Sequence, residues 1–442
     1  MPHQTTYAPP PVSSSLNPAS DRISPARVFC MVGLPARGKS YIARKTVRYL
    51  NWLGHRARVF NVGQYRRRNL GERKAHTFFD PDNHAAVRDR RAMAHLAMDE
   101  MFRWLRGGGE VGVYDATNTT RARRAIIAER CAANGVELVF IETIGDAPEI
   151  IEANIRATKL HSPDYAGMDP EEAVRDFRQR IAHYQRAYEP LASERLSWVK
   201  VVEDKQLVLN RVDGEVPSKV VRLLMALRHR KVRHFWLTRH GESRYNVEGR
   251  IGGDAGLSPS GEVFASRLAD HFAATTRPPP AAVWTSTLER TRQTAASLRG
   301  LPRPRHRRDL DEIQAGACDG MTYAEVAEKM PEEFAARKAD KARYRYPRGE
   351  SYLDVIARVE PVVLEMERGD DPLLVVGHQA TLRTLYGYFR GERAERCPSL
   401  TLPLHWIVEM VPTPQGHDER RVYLGPEPHR GGDEVGTPDP DA

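Results

Sequence analysis

The sequence predicts an α/β protein whose first half holds a parallel sheet covered on both faces. Strand-like apolar segments and helical segments alternate from Ala26 onward, which is the pattern of strand-helix-strand units. A glycine loop joins the first apolar run, Val28 to Val32, to a helical stretch from Tyr41 to Leu53. After a basic stretch near residue 228, a second set of apolar strands begins at Phe235. These observations predict two successive domains.

The glycine loop has the pattern G-x-x-x-x-G-K-S and opens a helix directly after a strand. Such a loop curls its backbone N–H groups around an anion, and the helix N-terminus adds a positive dipole end. Lys39 can reach β- and γ-phosphates, and Ser40 can bind Mg²⁺. The pattern predicts a nucleoside triphosphate site, and the alternative is an ordinary glycine turn before a helix. The loop residues are Gly33, Leu34, Pro35, Ala36, Arg37, Gly38, Lys39 and Ser40.

Asp115 ends a predicted strand that we expect beside the strand of the glycine loop. A carboxylate there can hold Mg²⁺ or accept the proton of an attacking hydroxyl. The alternative is a cap for the next helix, a role that Thr117 or Asn118 can also fill. The predicted elements of this region are strand Arg56 to Val62, helix Arg88 to Arg106, strand Glu110 to Asp115, helix Arg121 to Asn134 and strand Val136 to Ile141.

Two groups of polar residues in the first half are candidate ligand-binding groups. Arginines occupy the polar segment Gln64 to Arg68, which follows the carboxyl end of a strand, where ligands of open α/β sheets bind. Arg180 and Tyr184 share one face of the predicted helix Pro170 to Tyr188. A guanidinium beside a phenol can hold a sugar phosphate. Each of the two groups, judged alone, is more typical of a solvated surface charge than of a ligand site.

The second half contains the elements of a phosphate-transfer site based on histidine. The strand from Phe235 ends in Arg239-His240-Gly241-Glu242, and a neutral imidazole at a strand end can attack phosphorus beside an arginine. The predicted partners are Arg290, Glu312 as acid and base, and a second strand-end histidine, His378. The alternative is a set of unrelated polar strand ends.

Composition limits the classes of function. The net charge of +9 and a pI near 9.4 favour anionic partners. Phosphorylated small molecules and an arginine-rich solvated surface both explain this charge, whereas no nucleic-acid-binding module is evident. No apolar run is long enough to span a membrane and no signal pattern is present, so we expect a soluble cytoplasmic protein. The four widely spaced cysteines predict neither disulfides nor a zinc site.

Both ends of the chain differ in composition from the rest. Residues 1–25 are rich in Pro and Ser, and residues 426–442 are rich in Gly, Pro and Asp. Such segments bury too little apolar surface to fold, so we predict a disordered arm and a disordered tail. The folded chain would divide into domains at 26–228 and 229–425.

Eight segments between about Arg27 and His405 resemble the bifunctional 6-phosphofructo-2-kinase/fructose-2,6-bisphosphatase family. The loop or the R-H-G motif alone would indicate only a superfamily, but the combination is highly specific. The segments are GLPARGKS, RVFNVGQYRR, DATNTTRARR, KLHSPDY, TRHGES, RIGGDAGLSPSG, RYRYPRGESY and GHQATLR. The resemblance implies a P-loop kinase domain with a parallel sheet at 26–228. A histidine-phosphatase α/β domain, similar to phosphoglycerate mutase, would follow at 229–425.

For the first domain, the resemblance implies that the 2-hydroxyl of fructose 6-phosphate attacks the γ-phosphate of ATP. Asp115 and Lys159 would then be catalytic together with Lys39, and Ser40 and Asp115 would serve Mg²⁺. The nucleotide would also be bordered by Tyr41 and by the segment from Asn154 to Lys159. Matching positions for the sugar phosphate are Arg66, Arg90 (with Arg88 or Arg91 as alternatives), Thr117, Arg123, Lys159, Arg180 and Tyr184.

For the second domain, the resemblance implies that His240 takes the 2-phosphate of fructose 2,6-bisphosphate as phosphohistidine. Arg239, Arg290 and His378 would hold that phosphate, with Glu312 as acid and then base. Asn246 and Gly252 would border the site. Positions matching the grip on the 6-phosphate and sugar are Tyr323, Arg337, Lys341, Tyr352, Gln379 and Arg383. The resemblance further implies control of glycolysis and gluconeogenesis, and a homodimer formed through the kinase domain.

One departure from the family pattern is Gly145, where members often carry Cys. A thiol is not needed for phosphoryl transfer, so we expect altered affinity more than lost activity. Three other hypotheses remain open. The chain retains one activity only; it is a nucleotide or polynucleotide kinase fused to a broad phosphatase; or both sites sense ligands without turnover.

Overall fold

The computed structural model describes residues 25–160, 162–203, 206–227, 233–274, 278–413 and 416–425. The predicted arm, except its last residue, and the predicted tail at 426–442 lie outside these ranges, as does most of the basic stretch near residue 228. None of the described helices combines the length and the apolarity that crossing a bilayer requires. All four cysteines are buried and free in the structure.

The first half forms one six-stranded sheet in the order β2-β3-β1-β4-β5-β6. Its strands are β1 (Arg27–Val32), β2 (Ala57–Asn61), β3 (Val111–Asp115), β4 (Glu137–Ile144), β5 (Trp198–Val202) and β6 (Gln206–Asn210). Its helices are α1 (Lys39–Trp52), α2 (Val62–Leu70), α3 (His84–Arg106), α4 (Arg121–Ala133), α5 (Pro148–Asn154), α6 (Pro170–Arg186) and α7 (Glu215–Ala226), with a 3₁₀ turn at His76–Phe79 and a π turn at Ile155–Lys159.

The central strand of this sheet is β1, and all six of its residues are buried. It pairs in parallel with β3 on one side and β4 on the other, which confirms that Asp115 ends a strand beside the loop strand. A strand covered on both faces is expected to be a continuous apolar run, as the sequence from Val28 to Val32 is. The carboxyl ends of these strands therefore meet at one edge of the sheet.

The second half forms another six-stranded sheet in the order β12-β11-β7-β10-β8-β9. Its strands are β7 (Phe235–Arg239), β8 (Ala282–Thr285), β9 (Arg305–His306), β10 (Leu373–Gly377), β11 (Trp406–Thr413) and β12 (Gly416–Tyr423). Its helices are α8 (Arg244–Glu248), α9 (Pro259–Ala274), α10 (Glu289–Ala296), α11 (Tyr323–Lys329), α12 (Pro331–Ala339), α13 (Tyr352–Arg368) and α14 (Gln379–Arg390), with 3₁₀ turns at Arg308–Leu310, Gly316–Cys318 and Ala394–Ser399.

The two histidine-bearing strands are neighbours, because β7 pairs with β10 in parallel and in register from Phe235 to Arg239. Their ends bring His240 and His378 to one edge of the sheet, since each histidine directly follows its strand. Three strands depart from the parallel pattern: β6 runs antiparallel to β5, β11 to β7, and β12 to β11. Each antiparallel strand lies at or next to an edge of its sheet.

The helices of the two halves pack on one another in a shared core. Trp52 of α1 is fully buried; its indole N–H donates to the carbonyl of Thr384 in α14 at 2.8 Å, and its ring lies 5.4 Å from that of Tyr388. The hydroxyl of Tyr49 on α1 donates to the buried carboxylate of Glu360 on α13. The helix that begins at the glycine loop therefore supports the helices of the second sheet.

The sequence misplaced several elements. The polar segment with the arginine cluster, for which no helix was predicted, is the helix α2, and helix α3 begins four residues earlier than its predicted start. Strands β5 and β6 had no predicted counterpart. The cap at Asn61, whose side chain accepts the N–H of Gln64, explains how a polar segment starts a helix directly after a strand.

Candidate active sites

The glycine loop has a backbone that few residues can adopt. Gly33 has φ of 129°, and a Cβ there would lie 2.5 Å from the carbonyl oxygen of Thr143. Gly38 has φ of 78° and is the N-cap of α1, while Ala36 sits in the left-handed region at φ of 60°. A non-glycine residue in that region is strained and persists only where its surroundings hold it. The loop is thus built into the fold rather than a free turn.

Two hydrogen bonds fasten the loop to its neighbours, and a third fastens the strand that precedes it. The N–H of Gly33 donates to the carbonyl of Thr117 at 2.9 Å. The amide of Asn118, a buried residue with φ of 45°, donates to a carbonyl of β1 at 2.8 Å. The amide of Asn154 donates to a loop carbonyl at 2.8 Å. Thr117 and Asn154, both predicted site residues, therefore border the loop through their own contacts.

Lys39, Ser40 and Asp115 are brought to the same edge of the sheet. Lys39 is the first residue of α1 and is 7% exposed. Its ammonium group donates a hydrogen bond to the carbonyl of Leu34 in the loop. Asp115 is 3% exposed at the end of β3. The Ser40 hydroxyl and the Asp115 carboxylate are oxygen donors of the kind that Mg²⁺ takes together with water and phosphates. No cluster of three or more metal-ligating side chains occurs in the described part of the chain.

Arg66 and Arg180 meet at a buried carboxylate that the sequence analysis did not single out. Arg66 donates to both oxygens of Asp164, at 2.8 and 2.5 Å, and Arg180 lies 3.9 Å from the same group. Burial alone raises the pKa of Asp164, but the hydrogen bonds and charges of the arginines outweigh it and lower that pKa. The carboxylate therefore holds two predicted sugar-phosphate ligands in fixed positions.

The ring of Phe79 lies between these groups. The Arg180 guanidinium is 3.6 Å from its centroid and the Arg66 guanidinium 5.8 Å. The Tyr184 ring lies 6.1 Å away, so the predicted pair of Arg180 and Tyr184 does share one face of α6. Arginines stacked on an aromatic face keep their N–H edges aimed at other ligands.

The remaining predicted ligands of the first half occupy varied places. Arg90 is half-buried and donates to the Phe78 carbonyl at 2.5 Å, whereas its alternatives Arg88 and Arg91 are exposed. Arg123 donates to the side chain of Asn118 at 3.1 Å, on the loop that follows β3.

Two other predicted residues stand apart. Tyr41 packs toward the second half, where burial and the charge of Glu367 raise its pKa. Lys159 ends the π turn, and its side chain is outside the described groups.

Gly145 lies at a cleft beside the loop. The cleft is lined by Ala36, Arg37, Asn154 and Glu203 among others. A Cβ added at Gly145 would meet no atom within 4 Å. Glycine at position 145, in place of the family's usual Cys, therefore leaves open space in the wall of this cleft and removes no packing contact.

His240 is the centre of the second site. It is 3% exposed, and its backbone N–H donates to the carbonyl of Gly377 on the neighbouring strand. Its Nδ1 lies 2.7 Å from the carbonyl oxygen of Gly241, so Nδ1 carries the proton. The Nε of Arg290 donates to Nε2 at 3.1 Å, which requires a lone pair on that nitrogen. The ring therefore presents its basic nitrogen to the arginine.

Electrostatics keep this ring neutral. Burial, and then the positive charges of Arg290 and Arg239, lower the pKa of His240 well below its ordinary value. An uncharged imidazole is the nucleophilic form. The two arginines that stabilise the neutral ring are also the groups that attract an anionic phosphoryl group.

His378 is the residue that precedes α14, and its ring lies beside that of the first histidine. The two ring centroids are 5.1 Å apart, and His378 is fully buried. Its Nε2 lies 2.7 Å from the hydroxyl of Ser286, and its Nδ1 is buried without a partner among the described groups. Burial and the charge of Arg290 lower its pKa as well. A buried ring nitrogen without a protein partner is available to hydrogen-bond a ligand.

Glu312 is held at the start of α14. Its carboxylate accepts the N–H groups of Ala380, at 3.1 Å, and of Ile313, at 2.9 Å. Arg358 of α13 supports the same loop, because it donates to the carbonyls of Asp309 and Asp311 at 2.9 and 3.0 Å. A helix N-terminus stabilises a carboxylate. The acid predicted from the sequence is thus held at the start of the helix that follows His378, and its charge acts on Arg290.

The other predicted residues of this half surround the centre. Arg290 also donates to the Gly253 carbonyl at 2.8 Å. Gly252 has φ of 71°, and a Cβ there would lie 1.8 Å from a carboxylate oxygen of Asp319. Asn246 closes a capping box on Ser243, so its amide serves helix α8.

A second group lies farther from the histidines. Arg337 donates to the hydroxyls of Tyr323, at 3.0 Å, and of Tyr346, at 2.8 Å. Arg383 is 3% exposed and lies 3.4 Å from the hydroxyl of Tyr352. Gln379 is the first residue of α14, and Lys341 follows α12; both are half-buried. The cationic groups needed for a second phosphate are therefore present in the same half.

Sequence reasoning missed Asn61, Phe79, Asp164 and Ser286. Asp164 lies within the quoted segment KLHSPDY, and Asn61 within RVFNVGQYRR, so their presence was visible but not their partners. Ser286 follows an apolar strand as His240 does, which was the available signal for it.

Comparisons with known proteins match each half of the chain to a family. The family described as 6-phosphofructo-2-kinase matches residues 19–231. The family described as histidine phosphatase superfamily (branch 1) matches residues 235–423. A 6-phosphofructo-2-kinase/fructose-2,6-bisphosphatase of Arabidopsis thaliana is 46% identical over 416 residues, which cover 92% of this chain and 55% of that longer protein.

A protein of the same name from Gallus gallus is 46% identical over 402 residues, covering 90% of this chain and 84% of its own length. Among solved structures, a putative alpha-ribazole-5'-P phosphatase from Escherichia coli aligns with a TM-score of 0.39 and 22% identity, over 43% of this chain and 96% of that one.

Proposed function

The chain belongs to the 6-phosphofructo-2-kinase/fructose-2,6-bisphosphatase family, and on that premise we propose that it both makes and hydrolyses fructose 2,6-bisphosphate. The first half uses ATP to phosphorylate the 2-hydroxyl of fructose 6-phosphate. The second half removes that phosphate, returning fructose 6-phosphate and inorganic phosphate. Opposed reactions in one chain control the level of a regulatory sugar phosphate, and hence glycolysis and gluconeogenesis. The proposal places the protein in the cytoplasm with these substrates.

In the kinase reaction, the glycine loop and Lys39 hold the β- and γ-phosphates. The Asp115 carboxylate lies beside the sugar hydroxyl and accepts its proton as the oxygen attacks phosphorus. Arg66 and Arg180, ordered by Asp164, bind the 6-phosphate. The Ser40 hydroxyl and Asp115 are the groups that would hold Mg²⁺, which supplies positive charge against the phosphates when bound. Catalysis of this reaction depends on positioning and charge rather than on covalent chemistry.

In the phosphatase reaction, the Nε2 lone pair of His240 forms a bond to the 2-phosphorus as the bond from phosphorus to the sugar oxygen breaks. Glu312 gives its proton to that oxygen, which leaves as the 2-hydroxyl. Arg290 moves its hydrogen bond from Nε2 to the phosphoryl oxygens. Glu312 then takes a proton from water, whose oxygen displaces the imidazole. Phosphate leaves, and Nε2 regains its lone pair.

One observation carries this proposal: a buried neutral histidine, with Nε2 facing Arg290, lies in the same chain as a strained phosphate-binding loop. The hypothesis of ligand sensing without turnover does not require a nucleophile kept uncharged. The hypothesis of a single retained activity would be favoured if one site lacked its central residue. Both central residues are present, Lys39 in the first half and His240 in the second.

The test follows the sugar product by phosphorus NMR after the protein is mixed with ATP, Mg²⁺ and fructose 6-phosphate. The wild type, Lys39→Met and His240→Ala are compared. We expect a 2-phosphate signal that accumulates most in His240→Ala and is absent from Lys39→Met. Added fructose 2,6-bisphosphate should be hydrolysed by Lys39→Met at the wild-type rate.

Three results would contradict the proposal. Intact ATP in every sample would exclude the kinase assignment. Loss of both activities in Lys39→Met would mean that the sites are one coupled site. Phosphate release from unrelated phosphomonoesters at comparable rates would favour a broad phosphatase.

We also propose that the two activities divide at residues 228 and 229, and that the protein forms a homodimer through the first sheet. Strand β6 is an edge strand of that sheet as the structure describes it. Two of its apolar residues are exposed to solvent, Val208 by 37% and Leu209 by 50%. An unprotected edge strand with apolar side chains favours pairing with a second copy. Light scattering should give a dimer for the wild type and a monomer for Leu209→Lys. An unchanged mass would place the interface elsewhere.

A further inference from the structure

Asn61 and Asp115 end neighbouring strands at the same level. The strands β2 and β3 are parallel, and Asn61 is the registered partner of Asp115 at the last paired position. Registered residues of adjacent parallel strands point to the same face of the sheet. Their side chains therefore meet at the carboxyl edge, where the Nδ2 of Asn61 lies 2.5 Å from the Oδ2 of Asp115.

The direction of the Asn61 amide is fixed by its two partners. Its Oδ1 accepts the backbone N–H of Gln64 at 2.9 Å, and an N–H group can only donate. A reversed amide would place N–H against N–H and oxygen against a carboxylate. The Nδ2 group must therefore be the one that donates to Asp115. This bond has a charged acceptor, which makes it stronger than a neutral one.

The same amide also starts helix α2. Asn61 is the N-cap of that helix, and Arg66 lies five residues further on, on its buried side. One side chain thus joins the carboxylate of the reaction to the helix that carries a sugar-phosphate ligand. The other carboxylate oxygen of Asp115, Oδ1, has no protein hydrogen bond among the described residues.

We propose that Asn61 is a positioning residue for the kinase reaction, an inference that rests on the proposed function. Its Nδ2 group holds one oxygen of Asp115 and so fixes the rotation of the carboxylate. The other oxygen is then aimed at the reacting hydroxyl. Asn61 itself touches no substrate; it acts through Asp115.

Two substitutions separate this role from helix capping. Asn61→Ser keeps an oxygen that caps the helix but is too short to reach Asp115. Asn61→Asp keeps both the cap and the length of the side chain, and replaces the donor with a second carboxylate, which repels Asp115. The matched control is Asn83→Ser. Asn83 caps α3 in the same way, accepting the N–H of Ala86 at 3.1 Å, but its Nδ2 donates to a neutral carbonyl.

The measurement is kcat and KM of fructose 2,6-bisphosphate synthesis, with hydrolysis by the second half as the check on folding. Loss of a group that orients a catalytic ligand typically costs about 10- to 100-fold. We expect a loss of that size in kcat for Asn61→Ser and at least as much for Asn61→Asp. The KM for fructose 6-phosphate should stay within about twofold, because the cap and Arg66 remain.

Four outcomes would overturn the inference. Asn61→Ser with kcat within about twofold of wild type would mean that the bond to Asp115 is dispensable. A raised KM for fructose 6-phosphate with unchanged kcat in Asn61→Ser would mean that Asn61 acts only as a helix cap. An equal loss of kcat in Asn83→Ser would show a general effect of capping. A wild type that hydrolyses but never synthesises fructose 2,6-bisphosphate would overturn the proposed kinase, and this inference with it.

Discussion

Phosphohistidine formation should persist in mildly acidic solution, because His240 is held neutral. An imidazole with the ordinary pKa of about 6.5 is only about 9% neutral at pH 5.5, so its rate of attack would fall about tenfold from its value at pH 7.5. In the fold, burial and the charges of Arg290 and Arg239 lower the pKa of His240 well below that value. Protonation would also break the hydrogen bond that Arg290 donates to Nε2. We therefore expect less than a twofold fall at pH 5.5.

The assay is single-turnover labelling from fructose 2,6-bisphosphate that carries ³²P in its 2-phosphate, quenched in alkali because phosphohistidine is acid-labile. Circular dichroism at each pH verifies that the protein remains folded. Arg290→Gln removes a positive charge beside His240, so the pKa of His240 should rise in this variant. Its rate of labelling, already slower than that of wild type, should fall further as the solution becomes acidic. A wild-type rate that drops about tenfold for each pH unit below 6.5 would refute the reasoning.

Three other predictions concern stability and the nucleotide cleft. Burial lowers the pKa of His417 from 6.5 to about 4; its neutral ring therefore stabilises the fold fully above pH 6.5, and this contribution is lost as pH falls toward 4. Between pH 7 and 4.5, the free energy of unfolding in urea should fall by about 2 to 3 kcal/mol less for His417→Phe than for wild type. An equal fall in both proteins would contradict this. Glu360→Ala leaves the Tyr49 hydroxyl and the Lys219 ammonium without their buried acceptor between the two halves. Calorimetry should therefore record a free energy of unfolding that is about 2 to 4 kcal/mol lower. An unchanged unfolding transition would mean that water solvates these groups. Gly145→Cys enters open space, so steady-state kinetics should give a changed KM for ATP with kcat within about twofold, and a tenfold fall in kcat would exclude this account.

Much of the site could be predicted from the sequence because its signals are local. The glycine loop, Lys39 and Ser40 lie within eight consecutive residues, and their backbone follows from the glycines and the helix that begins there. His240 and His378 each directly follow an apolar strand, and parallel strands bring such ends together without further information. The α/β class likewise follows from the alternation of apolar segments.

Other parts of the site depend on distances that no local pattern encodes. Asp164 lies 98 residues from Arg66, yet it accepts both of that arginine's terminal N–H groups. Ser286 and His378, 92 residues apart, are joined by one hydrogen bond. Nothing in a polar side chain indicates which of many distant groups will become its partner.

The sequence by itself determined the α/β class, the phosphate loop, the strand-end histidines and the family that their combination resembles. Only the tertiary structure decided that α1 supports α13 and α14, that the arginine cluster is a helix capped by Asn61, and that β6, β11 and β12 run antiparallel. The physical reason is that periodicity and turn chemistry act over a few neighbouring residues. The partners of buried charges and the direction of edge strands are selected by packing of the whole chain, where each polar group must find an acceptor or a donor.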